Sequence, residues 1–153
     1  MRLVSSVADI GGSGMSQDSV GNFFIVNTSE GCIKKVTPQG VISNYCGICD
    51  GNGEGYGPCS ANSFWYPHDI AINSQGDLFV TENDIDVVKK VRKSDKQIFP
   101  FAGSSGSPFK NGEASQATFF NLNGIVIAPN GAIYVTEQAS QTIRKIFWAI
   151  IPV

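Results

Sequence analysis

At 153 residues, 42% of them hydrophobic, the chain is long enough for one core of ordinary domain size. Its net charge of −2 excludes a global attraction to nucleic acid or acidic membranes, and no apolar run approaches the roughly 18 residues that cross a bilayer. Charged residues are only 16%, against roughly 25% in an average domain. With 17 glycines, that composition favours turn-rich β structure.

Taken in order, the start Met1–Ala8 lacks the pattern of a secretory signal. Leu3 to Ala8 is short, β-prone and similar to Val41–Cys46, so it reads as the last strand of a preceding unit or a closing strand for the final one. Phe23–Val26 and Cys32–Val36, separated by Asn27-Thr28-Ser29-Glu30-Gly31, form a hairpin pattern in which Gly31 takes positive φ. Thr37-Pro38-Gln39-Gly40 turns the chain into a strand at 41–46. After a glycine-rich loop at 49–59 come strands near 69–73, 77–82, 87–92 and 97–102. Their nearly continuous apolar positions predict one antiparallel sheet covered on both faces. The same plan recurs from Ser104 to Ile146. No segment sustains a 3.6-residue period with caps, so no helix is expected.

The recurrence has a fixed period. Gly76-Asp77-Leu78-Phe79-Val80-Thr81-Glu82 is copied 55 positions upstream at Gly21–Asn27 and 55 positions downstream at Gly131–Glu137. Ile33-Lys34-Lys35-Val36, Val88-Lys89-Lys90-Val91 and Ile143-Arg144-Lys145-Ile146 keep the same spacing. A third box, Phe64 with Asp69–Ile72 and Phe119 with Gly124–Ile127, survives in the first copy only as Gly14–Gln17, which leaves the first strand there faint. Several boxes in register mark a repeat array whose units stack to bury their faces.

The order of glycine-rich loop, Ala-x-x-Phe-x-x-Pro-x-x-Ile-Ala-Ile (61–72), Gly-Asp-Leu-Phe-Val-Thr-Glu (76–82), Val-Lys-Lys-Val (88–91) and Phe-Ala-Gly (101–103) resembles an NHL repeat. The resemblance implies an all-β fold of about three four-stranded antiparallel propeller blades, near 14–47, 61–103 and 116–153. The ring is expected to be incomplete: the last strand of the third blade is truncated, or is supplied by residues 3–8. A homodimer completing a six-bladed ring is one expected partner arrangement.

Four cysteines stand at 32, 46, 49 and 59. Cys46-x-x-Cys49 has no second ligand pair for zinc. A Cys49–Cys59 disulfide closing the glycine-rich loop is the favoured pairing, alongside free thiols; the first implies an extracellular setting and the second a cytoplasmic one. Asn27-Thr28-Ser29 is a glycosylation sequon. Asp50-Gly51-Asn52-Gly53-Glu54-Gly55 opens like a calcium loop, but its twelfth position is Ala61 where a carboxylate is required. The basic run Lys89-Lys90-Val91-Arg92-Lys93 with Lys96 sits at repeat positions and has no interleaved aromatics, so nucleic acid is not the expected partner. The first two lysines are expected to lay their stems between sheets, with their heads near Glu82 or Glu137. His68 is the only histidine and is expected to be a hydrogen-bonded loop residue beside Asp69. No nucleophile elbow or phosphate loop is present.

These observations favour a non-enzymatic binding scaffold without cofactor or metal. Its recognition surface would be the inter-blade loops 47–63 and 103–118, carrying Asp50, Asn52, Glu54, Tyr56, Phe109, Lys110 and Asn111. The alternatives implied by the resemblance are a fragment of a lactonase- or lyase-type propeller enzyme and an RNA-binding NHL module.

Overall fold

The structure is a computed structural model describing residues 6, 10–49, 55–104 and 110–148. The strand expected at 3–8 lies outside the described residues except for Ser6, which is exposed. Three antiparallel sheets follow one another along the chain. The first holds β1 (Met15–Gln17), β2 (Phe23–Asn27), β3 (Cys32–Val36) and β4 (Ile42–Cys46), in that order. The second adds a short edge strand, β5 (Gly57–Pro58), outside β6 (Pro67–Ile72), β7 (Leu78–Glu82), β8 (Val87–Arg92) and β9 (Gln97–Ala102), in the order β5-β9-β8-β7-β6. The third has β10 (Leu122–Ile127), β11 (Ile133–Glu137) and β12 (Thr142–Ile146). No helix occurs among the described residues, and none is long and apolar enough to cross a membrane.

The sequence period is also a period of register. Phe23 opposes Val36, Leu78 opposes Val91 and Ile133 opposes Ile146, so the central hairpin is paired identically three times. Local chemistry explains the recurrence. Gly21, Gly76 and Gly131 close the first turn of each sheet at φ 89°, 84° and 82°, a region that favours glycine. In each of these turns a side chain supplies closing bonds: Asp18 accepts from the Val20 and Asn22 amides, Asn73 from those of Gln75 and Asp77, and Asn130 from that of Ala132. The faint first strand is present, pairing Met15 with Ile25 and Gln17 with Phe23.

Side chains alternate between the two faces of each strand, and the middle sheet uses both. Ile70, Leu78, Val80, Val91 and Ile98 pack against Phe24, Val26 and Ile33 of the first sheet. Ala71, Phe79, Val88 and Ala102 pack against Leu122, Ile125, Ile133 and Val135 of the third. All five residues of β7 are buried, as the continuous apolar pattern requires. Each fully buried Leu, Val, Ile or Phe contributes about 1.5–3 kcal/mol relative to exposure, so the two inter-sheet layers are the main source of cohesion.

Polar contacts fix the angle between sheets. Thr81 Oγ1 donates to the Asn123 carbonyl at 2.7 Å and Asn83 Nδ2 to the Leu122 carbonyl at 2.7 Å. One period earlier, Thr28 Oγ1 donates to the Pro67 carbonyl at 2.7 Å, while Ser13 Oγ donates to that of His68 at 2.5 Å. Asp69 spans the second joint: Oδ1 accepts from the Ile70 amide at 2.8 Å and Oδ2 from the Ile125 amide at 2.9 Å. It stands between glycines at the matching positions, and a Cβ on Gly14 would lie 2.2 Å from Asp69 Oδ1.

Candidate interaction surface

In these antiparallel sheets the β2–β3, β7–β8 and β11–β12 turns share one end with the connections between sheets. The two connections are anchored by one repeat position. At 34, 89 and 144 stands a cation from the third strand of its sheet. Lys89 is completely buried, with Nζ 2.9 Å from Glu82 Oε2, and Glu82 Oε1 accepts from the Trp65 amide at 2.6 Å. The ammonium lies 5.2 Å from the centre of the Tyr56 ring and 5.6 Å from that of Phe64, within cation–π range. Arg144 pairs with Glu137 Oε1 at 2.8 Å and reaches further, donating to the Thr118 carbonyl at 3.1 Å, the Lys110 carbonyl at 3.0 Å and Asn111 Oδ1 at 2.9 Å. In the first sheet Asn27 replaces the acid, and Lys34 turns to Glu30 at 2.7 Å and Asn44 at 2.9 Å. The stems of Lys89 and Arg144 thus lie between sheets with their heads at Glu82 and Glu137, whereas Lys90, expected at the same acids, points to the other face of its strand and pairs with Asp77 instead.

The glycine-rich connection is held twice more. The expected Cys49–Cys59 disulfide does not form: Cys32 bonds Cys49, and Cys46 bonds Cys59, across Cα separations of 5.0 and 4.6 Å. The reason lies in the pairing of β3 with β4, which sets Ile33 opposite Cys46 and so brings Cys32 and Cys46 to the same end of the sheet. Each takes one cysteine of the departing loop, instead of the loop closing on itself. The Cys59 amide donates to the Lys96 carbonyl and the Gly47 amide to the Cys59 carbonyl, so the bridges tie the outer strand of the first sheet to the second. Glu30, Cys32 and Cys49 offer ligand atoms within 4.8 Å of one another, but both sulfurs are committed to disulfides.

Of the residues expected to form the recognition surface, Tyr56, Lys110 and Asn111 are described. Tyr56 is 48% exposed with its ring against Lys89; Lys110 and Asn111 are exposed and held from beneath by Arg144. Asp50, Asn52, Glu54 and Phe109 lie outside the described residues, as does most of the calcium-like stretch. The sequon is folded into a turn: Asn27 is buried and its Oδ1 accepts from Ser29 Oγ and the Glu30 amide.

The basic run is divided by its geometry. Lys89 pairs with Glu82, Lys90 with Asp77 at 2.7 Å, and Arg92 with Asp95. Burial pushes the Asp77 carboxyl up, but the Lys90 ammonium and the Lys93 amide outweigh it and hold it below the usual range. Lys96 is different. It lies over the Tyr45 ring beside a cavity of about 340 Å³ lined by Asn44, Pro58 and Ser60 among others. Burial, reinforced by Lys35 and Lys93, lowers its ammonium to about 8. Nothing in the local sequence singles out Lys96; its environment comes from Tyr45, in a different sheet.

His68 lies within β6, not in a loop: the strand begins at Pro67, two residues before the position the alternation marks, because a register shift follows Pro67. Its Nδ1 is buried without a partner among the described residues. Its neighbour Asp69 is fully engaged in joining two sheets. At the opposite end of the molecule, a cleft of about 750 Å³ opens between the second and third sheets, with Asn73, Gln75, Asn130, Lys145, Phe147 and Trp148 on its walls. Lys145 has no acid opposite it among the described residues, since Ala132 stands where Asp77 answers Lys90; it lies instead 4.9 Å from the Phe147 ring.

Residues 64–84 match the NHL repeat family. No curated protein matches the chain. Solved structures do. A Bacteroides thetaiotaomicron protein of unknown function is similar at a TM-score of 0.76 and 20% identity, with 82% of this chain and 32% of that one covered. An auxiliary nutrient binding protein from the same organism follows at 0.73 and 17%, covering 86% and 36%. A gluconolactonase from Xanthomonas campestris gives 0.60 and 13%, covering 88% and 40%. The chain thus spans about a third of the length of the structures it resembles, and the likeness is one of fold. With its 55-residue register and stacked antiparallel sheets, the chain has the fold of an array of β-propeller blades, the second of which carries the NHL match.

Proposed function

We propose that this array is a non-enzymatic binding module that presents the inter-blade connections as its recognition surface. The observation that carries the reading is the anchoring of those connections. Two disulfides, the Lys89–Tyr56 stack and the Arg144 contacts to Lys110 and Asn111 hold exposed loops on a rigid scaffold, which lowers the ordering cost of binding. The likeness to a nutrient binding protein supports it. So does Asp69, whose carboxylate is occupied by backbone amides. Two disulfides among four cysteines favour an extracellular setting, where such bonds persist.

The likeness to a gluconolactonase supports a second reading, a fragment of a propeller enzyme with its chemistry at the His68–Asp69 position. Metal analysis combined with lactonase and lyase assays separates the two: stoichiometric bound metal with turnover abolished by His68→Ala sinks the scaffold reading. The scaffold reading expects no turnover, and expects ligands retained from oligosaccharide or peptide arrays to be lost on the double change Tyr56→Ala and Asn111→Ala.

A further inference from the structure

Among the described residues the two end faces of the array are uncovered, and they are complementary. On the outward face of blade 3, Ile143 is 73% exposed, whereas Ile33 and Val88, at the same repeat position, are fully buried against the next blade. Val126 is 59% exposed where Ala71 is 6%. Thr136 is exposed where Thr81 is buried; both accept a strand amide, Gly124 for Thr136 and Asp69 for Thr81, but only Thr81 also donates across a blade joint, to the Asn123 carbonyl. Blade 3 therefore presents a face built to dock a following blade.

On the outward face of blade 1 the converse holds. Met15 is 67% exposed where Ile70 and Ile125 are at 2% and 9%. Met15, Phe23, Ile25 and Val36, with Ile10 and Ser13, line an apolar groove of about 490 Å³. In the two internal joints the equivalent groove is filled by the aromatic side chain at position 24 or 79 of the neighbouring blade. Blade 3 carries Tyr134 at that position. The edges match as well: β12 has no outer partner among the described residues, whereas β3 and β8 pair with β4 and β9.

We propose that two copies of this chain close a ring, the outward face of blade 3 of each copy seating on the outward face of blade 1 of the other. The assembly is a two-fold ring with two equal contacts, each repeating the internal blade joint with its side chains in the same register. Tyr134, Thr136 and Ile143 enter the groove beside Met15, and the Thr136 hydroxyl meets the Ser13 carbonyl as that of Thr81 meets Asn123. A second copy is the occupant argued for because one chain presents both halves of the joint. The proposal is independent of whether the assembled ring binds or catalyses.

The test is the mass of the full chain in solution by light scattering and sedimentation, with disulfides intact. A species of twice 16.3 kDa is expected. Ile143→Asp and, separately, Met15→Asp should each weaken it about a hundredfold or more, since a carboxylate would be buried without a partner in both contacts. Both side chains are exposed in the single chain, so each variant should keep the wild-type far-ultraviolet circular dichroism spectrum. A folded wild-type monomer at micromolar concentration overturns the proposal, as does a dimer indifferent to both substitutions or a ladder of larger species.

Discussion

The buried ion pair of blade 2 yields a sharp energetic test. Lys89 and Glu82 are both fully inaccessible with their charges 2.9 Å apart, an attraction of about 6 kcal/mol at an effective dielectric of about 20. Desolvation offsets most of that, so the pair contributes little net stability, but removing one partner leaves an uncompensated charge and costs about 3–5 kcal/mol. Glu82→Gln keeps an acceptor for the Trp65 amide while removing the charge; Lys89→Met keeps the stem and removes the cation. Each single change should lower the urea midpoint by about 2 M, taking an m-value of about 2 kcal/mol/M. The double variant should recover most of the loss, giving a coupling of at least about 2 kcal/mol in the cycle. Equilibrium unfolding followed by tryptophan fluorescence is the assay. Single shifts below about 0.5 M, as for an exposed pair, would refute the buried-pair argument.

Three further outcomes follow from particular contacts. Non-reducing peptide mapping should recover Cys32–Cys49 and Cys46–Cys59, and reduction should cost about 3 kcal/mol per bridge for closed loops of 17 and 13 residues; a Cys49–Cys59 peptide would contradict the strand pairing. Asp69→Ala should cost about 1–3 kcal/mol by orphaning the Ile125 and Ile70 amides, with Asp69→Asn losing less; equal effects in hydrogen exchange at blade 1 and at the blade 2–3 joint would count against its role there. Because Lys96 has its ammonium lowered from 10.5 to about 8, its stabilising contribution is complete above 10.5 and is lost as pH falls through about 8. The stability of the wild type relative to Lys96→Met should therefore rise between those values, and Lys96 should acylate faster than Lys93 near pH 8; equal rates would remove the argument.

Much of this molecule was written in one dimension. The recurrence of Gly21, Gly76 and Gly131, of the apolar second strand and of the third-strand cation determined the central hairpins, their pairing and their stacking, because each is a local requirement: positive φ at a turn, alternation on a pleat, a face that must be covered. The pairing of Lys89 with Glu82 and of Arg144 with Glu137 was legible for the same reason, since both members recur in fixed register. What the tertiary structure alone decided is whatever joins different strands or blades. The cysteines pair by the register of β3 against β4 and not by proximity in sequence, Lys96 acquires its setting from Tyr45, Arg144 reaches back to Lys110 and Asn111, and Ile143 is bare where Val88 is buried. A repeat specifies what every blade must be. Contacts between unlike segments depend on distances that arise only after the blades have stacked.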